Sequence, residues 1–174
     1  MNVTRKKNYG FIDAQNLNLA TIRSVVPWKV DLVRFRAYLR DKYQLDEVYY
    51  FIGAHDYRHE EMYHDIQRHG FIVVFREHGI NLKGSKKGNV DVDIVFQTMR
   101  ILYEDGDCGK MLIVSGDGDY KRMVDYLISK DKFLKILIPC REYGSSLYKS
   151  LGSEYFDYLD KPDMRLKLGL LSRK

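Results

Sequence analysis

The residues best suited to chemistry in this chain are aspartates that lie where apolar segments end. The apolar run Met111-Leu-Ile-Val114 leads directly into Ser115-Gly-Asp-Gly-Asp119, which presents two carboxylates among small residues. Asp13 ends another apolar run, and Asp91 and Asp93 open an amphipathic segment. Carboxylate oxygens are ligands that Mg²⁺ and Mn²⁺ prefer. Two such ions can position a water and stabilise both oxygens of an in-line displacement, so these acids predict metal-assisted phosphoryl chemistry.

Helix capping is the alternative explanation for each acid taken alone. Aspartate is a favoured N-cap residue, and Asp13, Asp91 and Asp117 each precede or open a predicted helix. The alternative weakens when the acids are taken together, because carboxylates a few ångströms apart repel one another unless a cation lies between them. The sequence therefore favours a shared cation site over separate caps.

The helix predicted over residues 90–103 distinguishes Asp91 from Asp93. At ~100° per residue, its apolar stripe is centred near Val92, Val95, Met99 and Leu102. Asp91 then lies on the flank that faces the sheet, and Asp93 is predicted to be solvated.

Short apolar runs alternate with amphipathic segments along the chain, which predicts strands alternating with helices. Strands are predicted over residues 9–13, 48–52, 71–75, 111–114 and 133–138, with 76–83 as an edge extension of the third. Helices are predicted over 31–43, 56–68, 90–103 and after the acidic turn, with short elements at 144–151 and 155–159. A loop with room for one turn of helix is predicted over 16–27. This pattern indicates an α/β domain whose mostly parallel sheet is covered by helices on both faces.

Length and composition predict one globular domain without a membrane span. The chain has 174 residues, 45% of them hydrophobic and 30% charged. It has no stretch of ~20 apolar residues and no apolar signal segment after its N-terminus. Cys108 and Cys140 are too few for a disulfide framework, which predicts a cytoplasmic protein. The predicted division is a domain over 1–160 and a basic tail over 161–174, either a loose arm or a docking segment for a second subunit in a homo-oligomer.

A net charge of +5 is compatible with a polyanionic partner. Lys83, Lys86 and Lys87 lie on a glycine-containing stretch just before Asp91. They belong either to a solvated loop or to a surface that contacts a phosphate backbone without reading its bases.

Three segments of the chain form a set whose order is informative. They are Phe11-Ile-Asp-Ala-Gln-Asn-Leu17, Lys87-Gly-Asn-Val-Asp-Val92 and Ile113-Val-Ser-Gly-Asp-Gly-Asp-Tyr120. Together they resemble the motifs of the NYN domain, the LabA-like branch of the PIN-like nuclease superfamily, over roughly residues 8–160. The resemblance implies a PIN-like three-layer α/β/α fold with a five-stranded sheet in the order 3-2-1-4-5. The strands that end at Asp13 and Asp117 are then neighbours at the point where strand order reverses, where open α/β sheets bind ligands.

The resemblance also implies an activity, that of a metal-dependent ribonuclease acting on RNA with Mg²⁺ or Mn²⁺. The matched catalytic and metal-binding acids are Asp13, Asp91, Asp117 and Asp119. Asn16 matches a polar residue after the first acid and Ser115 a small hydroxyl residue before the turn. Both are expected to order the carboxylates or the scissile phosphate.

One position departs from this pattern. Many relatives carry a further aspartate six residues after the acid that Asp91 matches, and this chain has Gln97 there. The number of metal ions is therefore left open, and so is a rival function as an RNA-binding or regulatory module without turnover. A haloacid-dehalogenase-type phosphatase is disfavoured, because Gln15 stands where that class needs a second acid.

Overall fold

The computed structural model describes residues 5–76 and 90–170, and a parallel sheet forms its centre. The strands are β1 (Asn8–Asp13), β2 (Leu45–Ile52), β3 (Ile72–Phe75), β4 (Met111–Val114), β5 (Phe133–Ile138) and β6 (Phe156–Tyr158). Their order is β3-β2-β1-β4-β5-β6, and every neighbouring pair is parallel. The predicted order of the first five strands is confirmed, as is an additional edge strand.

The additional strand lies at a different edge from the one expected. It is β6, which pairs with β5 and arises from the short element predicted at 155–159. The extension predicted over residues 76–83 lies, beyond Arg76, outside the described residues, and Arg76 itself is not in a strand.

Helices cover both faces of the sheet because alternate strand residues point to opposite sides. The helices are α1 (Ala14–Ile22), α2 (Leu32–Tyr43), α3 (Glu60–Arg68), α4 (Asp91–Glu104), α5 (Lys121–Ser129) and α6 (Pro162–Leu168). One apolar cluster joins α1, α2, α3 and α6 to the sheet through side chains such as Ile12 and Val114. The other joins α4 and α5 to the opposite face through Phe11 and Ile113. The predicted three-layer architecture is thus confirmed.

Helix α1 corrects the loop predicted over residues 16–27. The segment lacks a clear apolar period, but the Asp13 side chain caps the helix by accepting from the backbone N–H of Asn16 at 2.9 Å. Leu17 and Ala20 are buried against the sheet. The helix buries four side chains in all, and these with the cap stabilise a helix that the sequence pattern alone was too weak to predict.

The end of the described chain is also packed. Helix α6 lies within the predicted basic tail and buries Met164 and Leu168 in the core against α2. The backbone N–H of Asp31 donates to the carbonyl of Leu168 at 2.8 Å, which ties α6 to the start of α2. The division of the chain at residue 160 stays a prediction. Among the described residues, no helix is both long and apolar enough to cross a membrane.

Candidate metal centre

The acidic turn lies at the carboxyl end of the two central strands. Residues Ile12 of β1 and Val114 of β4 are register partners, so Asp13 and Ser115 leave neighbouring strands at the same edge. The chain runs from β1 to one side of the sheet and from β4 to the other, which makes this the point where strand order reverses. The crevice that such a reversal opens is where open α/β sheets bind ligands.

Asn16 connects the two strand ends. Its backbone N–H donates to Asp13 at 2.9 Å, and its side-chain carbonyl accepts from the backbone N–H of Gly116 at 2.8 Å. Ser115, which is fully buried, accepts from the backbone N–H of Asp117 at 3.1 Å through its hydroxyl. Both residues thus hold backbone at the acidic edge. Their part in ordering the carboxylates or a phosphate stays a prediction.

Three carboxylates come together at this edge. Asp91, Asp117 and Asp119 each offer an oxygen, and these oxygens all lie within 4.8 Å of one another. Asp91 and Asp117 are half-buried, whereas Asp119 is exposed. Asp117 has the extended backbone of an N-cap and accepts from the Asp119 N–H at 3.0 Å, so capping and clustering occur together. An oxygen-only donor set of this charge suits a divalent cation such as Mg²⁺ or Mn²⁺.

Asp13 lies beside this group rather than within it. The hydroxyl of Tyr120 donates to Asp91 and lies 3.4 Å from the second oxygen of Asp13, which brings the first acid next to the cluster. Tyr120 is fully buried, and its approach to both acids was not foreseen from sequence. It stands in the apolar stripe after the turn, and only the hydroxyl on a ring at that position signalled a polar role.

The charges at this edge disfavour one another's ionisation. Asp13 is only 6% exposed, and this burial is the largest cause of its raised pKa. The hydrogen bond from the Asn16 N–H lowers the pKa, whereas the negative charges of Asp91 and Asp117 raise it further. Burial and the Asp13 charge also raise the pKa of the Tyr120 hydroxyl, which therefore stays a proton donor. A cation placed among the acids would relieve this repulsion, which is the electrostatic condition for a metal site.

A later segment supports the turn from the other side. The backbone N–H of Ser145 donates to the carbonyl of Gly116 at 2.8 Å, and the Tyr148 hydroxyl donates to the carbonyl of Asp117. A Cβ on Gly118 would lie 2.5 Å from the Ser145 hydroxyl oxygen, so only glycine fits this approach without movement. The short element predicted over residues 144–151 is a 3₁₀ helix over Ser146–Ser150, and Tyr148 from it supports the acidic turn.

An open cavity of about 570 Å³ gives access to the acids. Asp13, Asp91 and Asp117 form one wall. Leu19, Arg23 and Tyr143 contribute a wall of different character, apolar, cationic and aromatic. The volume falls within the range of small-ligand sites.

Helix α4 corrects the predicted apolar stripe. Val92 is 67% exposed, and the helix instead buries Ile94, Gln97, Thr98 and Ile101. The prediction was wrong at Val92, whereas Val95, Met99 and Leu102 are partly buried and pack against the core. Two of the four buried positions are polar, and Thr98 satisfies its hydroxyl by donating to the Ile94 carbonyl at 2.7 Å. Asp93 is half-buried rather than solvated, and one of its carboxylate oxygens has no hydrogen-bond partner among the described residues.

Gln97 is turned into the protein. It is 9% exposed. Burial raises the pKa of the Tyr49 hydroxyl on β2, and the Gln97 amide acts to lower that pKa. Gln97 does not belong to the group of clustered acids. Lys83, Lys86 and Lys87, predicted to contact RNA, lie outside the described residues.

The fold and the acidic edge together define a nuclease-like α/β domain of the PIN-like type. The model of the NYN domain family matches residues 10–150, and the chain belongs to this family, which is part of the PIN-like nuclease superfamily. The crystal structure of VPA0982, a protein of unknown function from Vibrio parahaemolyticus, is similar in fold, with a TM-score of 0.74 at 21% identity. That similarity covers 98% of this chain and 99% of the other. No curated protein matches the sequence.

Proposed function

We propose that this protein is a ribonuclease that hydrolyses RNA phosphodiester bonds with Mg²⁺ or Mn²⁺ at the acidic edge of the sheet. The observation that carries the proposal is the group formed by Asp91, Asp117 and Asp119, whose oxygens lie within 4.8 Å of one another in a domain of a nuclease superfamily. These three acids would hold the ion, with Asp13 beside them as a fourth ligand or a base for water.

The ion, when bound, supplies Lewis-acid activation of water and neutralises charge on the phosphate. The residues of the chain provide the geometry. Asn16 and Ser115 hold the ends of β1 and β4, so the carboxylates that follow them stay at fixed separation. Tyr120 keeps Asp13 and Asp91 close without neutralising either, because its hydroxyl donates a hydrogen bond and stays uncharged.

Hydrolysis balances without a covalent enzyme intermediate. Water adds to phosphorus, the bond from phosphorus to one ribose oxygen breaks, and that oxygen takes up a proton from the solvent. The carboxylate that accepts the proton of water later returns that proton to the solvent. The proton lost by water can pass to a carboxylate of the site, for which Asp13 is suited because its pKa is raised by burial. Lys83, Lys86 and Lys87 precede Asp91 in the chain, and we propose that they hold the RNA backbone.

The test is cleavage of an end-labelled RNA with Mg²⁺, with Mn²⁺ and with chelator. We expect chelator to stop cleavage and Asp117→Asn to slow it by ~100-fold or more, since even residues behind the ligands are worth 10- to 100-fold. The matched control is Asp107→Asn, an exposed aspartate paired with Lys6 that should cleave like wild type. Cleavage that survives Asp117→Asn or ignores chelator would contradict the mechanism.

The rival function is an RNA-binding module without turnover. Gln97 favours it, because a family position that is often acidic is here a buried glutamine. RNA binding without cleavage under any divalent ion would decide for the rival.

A further inference from the structure

The cavity beside the acids has a second wall that the proposed chemistry does not use. Leu19 and Arg23 come from the end of α1, and Tyr143 comes from the segment that follows β5. Leu19 is 36% exposed and Tyr143 is 47% exposed, so an apolar side chain and a ring are presented to the cavity instead of being buried. We propose that this wall seats the nucleotide next to the scissile phosphate, with its base stacked on Tyr143 and a phosphate held by Arg23.

Tyr143 has the properties of a stacking platform. Its hydroxyl donates to the backbone carbonyl of Arg23 at 2.9 Å, which spans the cavity rim and fixes the orientation of the ring. The ring is then an exposed π-face held in place at one end. Every nucleobase has a π-face, so a fixed ring of this kind accepts bases with little regard to sequence.

Arg23 has the properties of a phosphate anchor. It is exposed, it lines the cavity, and its side chain makes no ion pair or hydrogen bond with any residue that the structure describes. The other arginines near cavities are engaged differently; Arg34, for example, pairs with Asp31. An unengaged guanidinium that lines the same cavity as the acids can bind an anionic group of a ligand, and a phosphate diester fits the fork of donors.

The two walls together indicate which ligand fits. A base on Tyr143 and Leu19 must be unstacked from its neighbours, so the cavity would take a single-stranded segment rather than a paired one. A cavity of about 570 Å³ is large enough for one nucleotide with its flanking phosphate. This inference rests on the proposed function for the identity of the ligand as RNA.

The first test is binding of a fluorescently labelled single-stranded RNA octamer in chelator, measured by anisotropy, so that cleavage does not enter. We expect Tyr143→Ala to weaken binding roughly tenfold, the usual order for loss of one base–ring stack. Tyr143→Phe should keep most of the affinity because it keeps the ring. Arg23→Gln should weaken binding and reduce its dependence on salt by about one phosphate contact.

Matched controls make the same changes at the opposite edge of the sheet. Tyr103 is 90% exposed at the end of α4, and Arg40 is exposed at the end of α2. Tyr103→Ala and Arg40→Gln should bind the octamer like wild type. Equal binding by Tyr143→Ala and wild type would overturn the inference. An equal loss of affinity in Tyr143→Phe and Tyr143→Ala would also overturn it. The hydroxyl of Tyr143, and not its ring, would then be responsible for binding.

A second test changes the RNA, so that its wild-type arm probes the cavity without any substitution in the protein. Octamers that lack the base at one position in turn are assayed for cleavage with Mn²⁺. Wild type should lose activity when the missing base lies at one particular position relative to the cleaved bond. Tyr143→Ala should cleave all of these octamers equally, whichever base is missing. If no RNA is cleaved with any metal but Tyr143→Ala and Arg23→Gln still weaken binding, the proposed nuclease function is refuted and the proposed nucleotide site is supported. Cleavage that shows no dependence on Tyr143 would do the reverse.

Discussion

Acidic residues lie at both edges of the sheet, but their partners differ between the two edges. At the amino edge, Asp46 pairs with Arg5, Glu47 with Lys7 at 2.8 Å and Asp107 with Lys6 at 2.8 Å. At the carboxyl edge, Asp13, Asp117 and Asp119 form no ion pair with any residue that the structure describes.

The difference lies in what holds the carboxylates. Exposed cations pair with Asp46, Glu47 and Asp107 at the amino edge and join segments at the surface. Neutral donors hold the acids at the carboxyl edge: backbone N–H groups donate to Asp13 and Asp117, and the Tyr120 hydroxyl donates to Asp91. Neutral donors fix the position of a carboxylate and leave its negative charge in place. An edge built in this way is prepared for a cation from outside the chain.

The largest expected effect is stabilisation by a divalent ion. At Mn²⁺ a hundredfold above its dissociation constant, the free energy of unfolding of wild type should rise by about 2.7 kcal/mol relative to chelator. Asp117→Asn should lose most of this gain and Asp107→Asn should keep it. Urea unfolding over a Mn²⁺ titration measures both. An equal gain in the two variants would show that the ion binds elsewhere.

The next effect concerns the link between the strands. Asn16→Ala removes the acceptor for the buried Gly116 N–H and should destabilise the protein by about 1–3 kcal/mol. The control is Gln15→Ala, an exposed neighbour in the same helix. If the two variants unfold at the same urea concentration, the Asn16 bridge does not contribute as described.

A pH-dependent effect follows from Asp13. Because its pKa in the folded protein is raised above the ordinary value of 3.8, the metal-free protein should lose stability as pH rises from 3.8 through that raised pKa. Asp13→Asn keeps the helix cap and removes this titration, so the variant should be more stable than wild type at neutral pH. The advantage should shrink as pH falls toward 3.8. Urea unfolding of both proteins in chelator at several pH values measures this difference in stability. A difference that does not change with pH would contradict the raised pKa of Asp13.

The smallest effect is expected at the amino edge. Asp107→Asn breaks an exposed ion pair with Lys6 and should change stability less than Asn16→Ala does. The remaining difference should vanish near 1 M salt, where the screening length is about 3 Å. A loss that matches Asn16→Ala, or that persists in salt, would remove the contrast between the edges.

Much of the fold was predictable because strands buried on both faces appear as uninterrupted apolar runs. Met111–Val114 and the run before Asp13 are such segments, and their positions and order are confirmed. The prediction failed where polar residues are buried or apolar ones exposed. Helix α4 buries Gln97 and exposes Val92, and α1 forms with few apolar contacts. The apolar periodicity of a sequence indicates which face of a helix is buried on average. It does not detect a single polar side chain that is buried because its polar group is hydrogen-bonded inside the protein.

The amino-acid sequence by itself determined the α/β class, the strand order through family resemblance, and the acids that end or follow the central strands. The tertiary structure decided which of these acids meet: Asp91, Asp117 and Asp119 form the close group, and Asp13 lies beside them through Tyr120. It also revealed the wall of Leu19, Arg23 and Tyr143. Spacing along the chain fixes which edge of the sheet a residue occupies. Distances of a few ångströms between residues a hundred positions apart depend on packing, which no local pattern encodes.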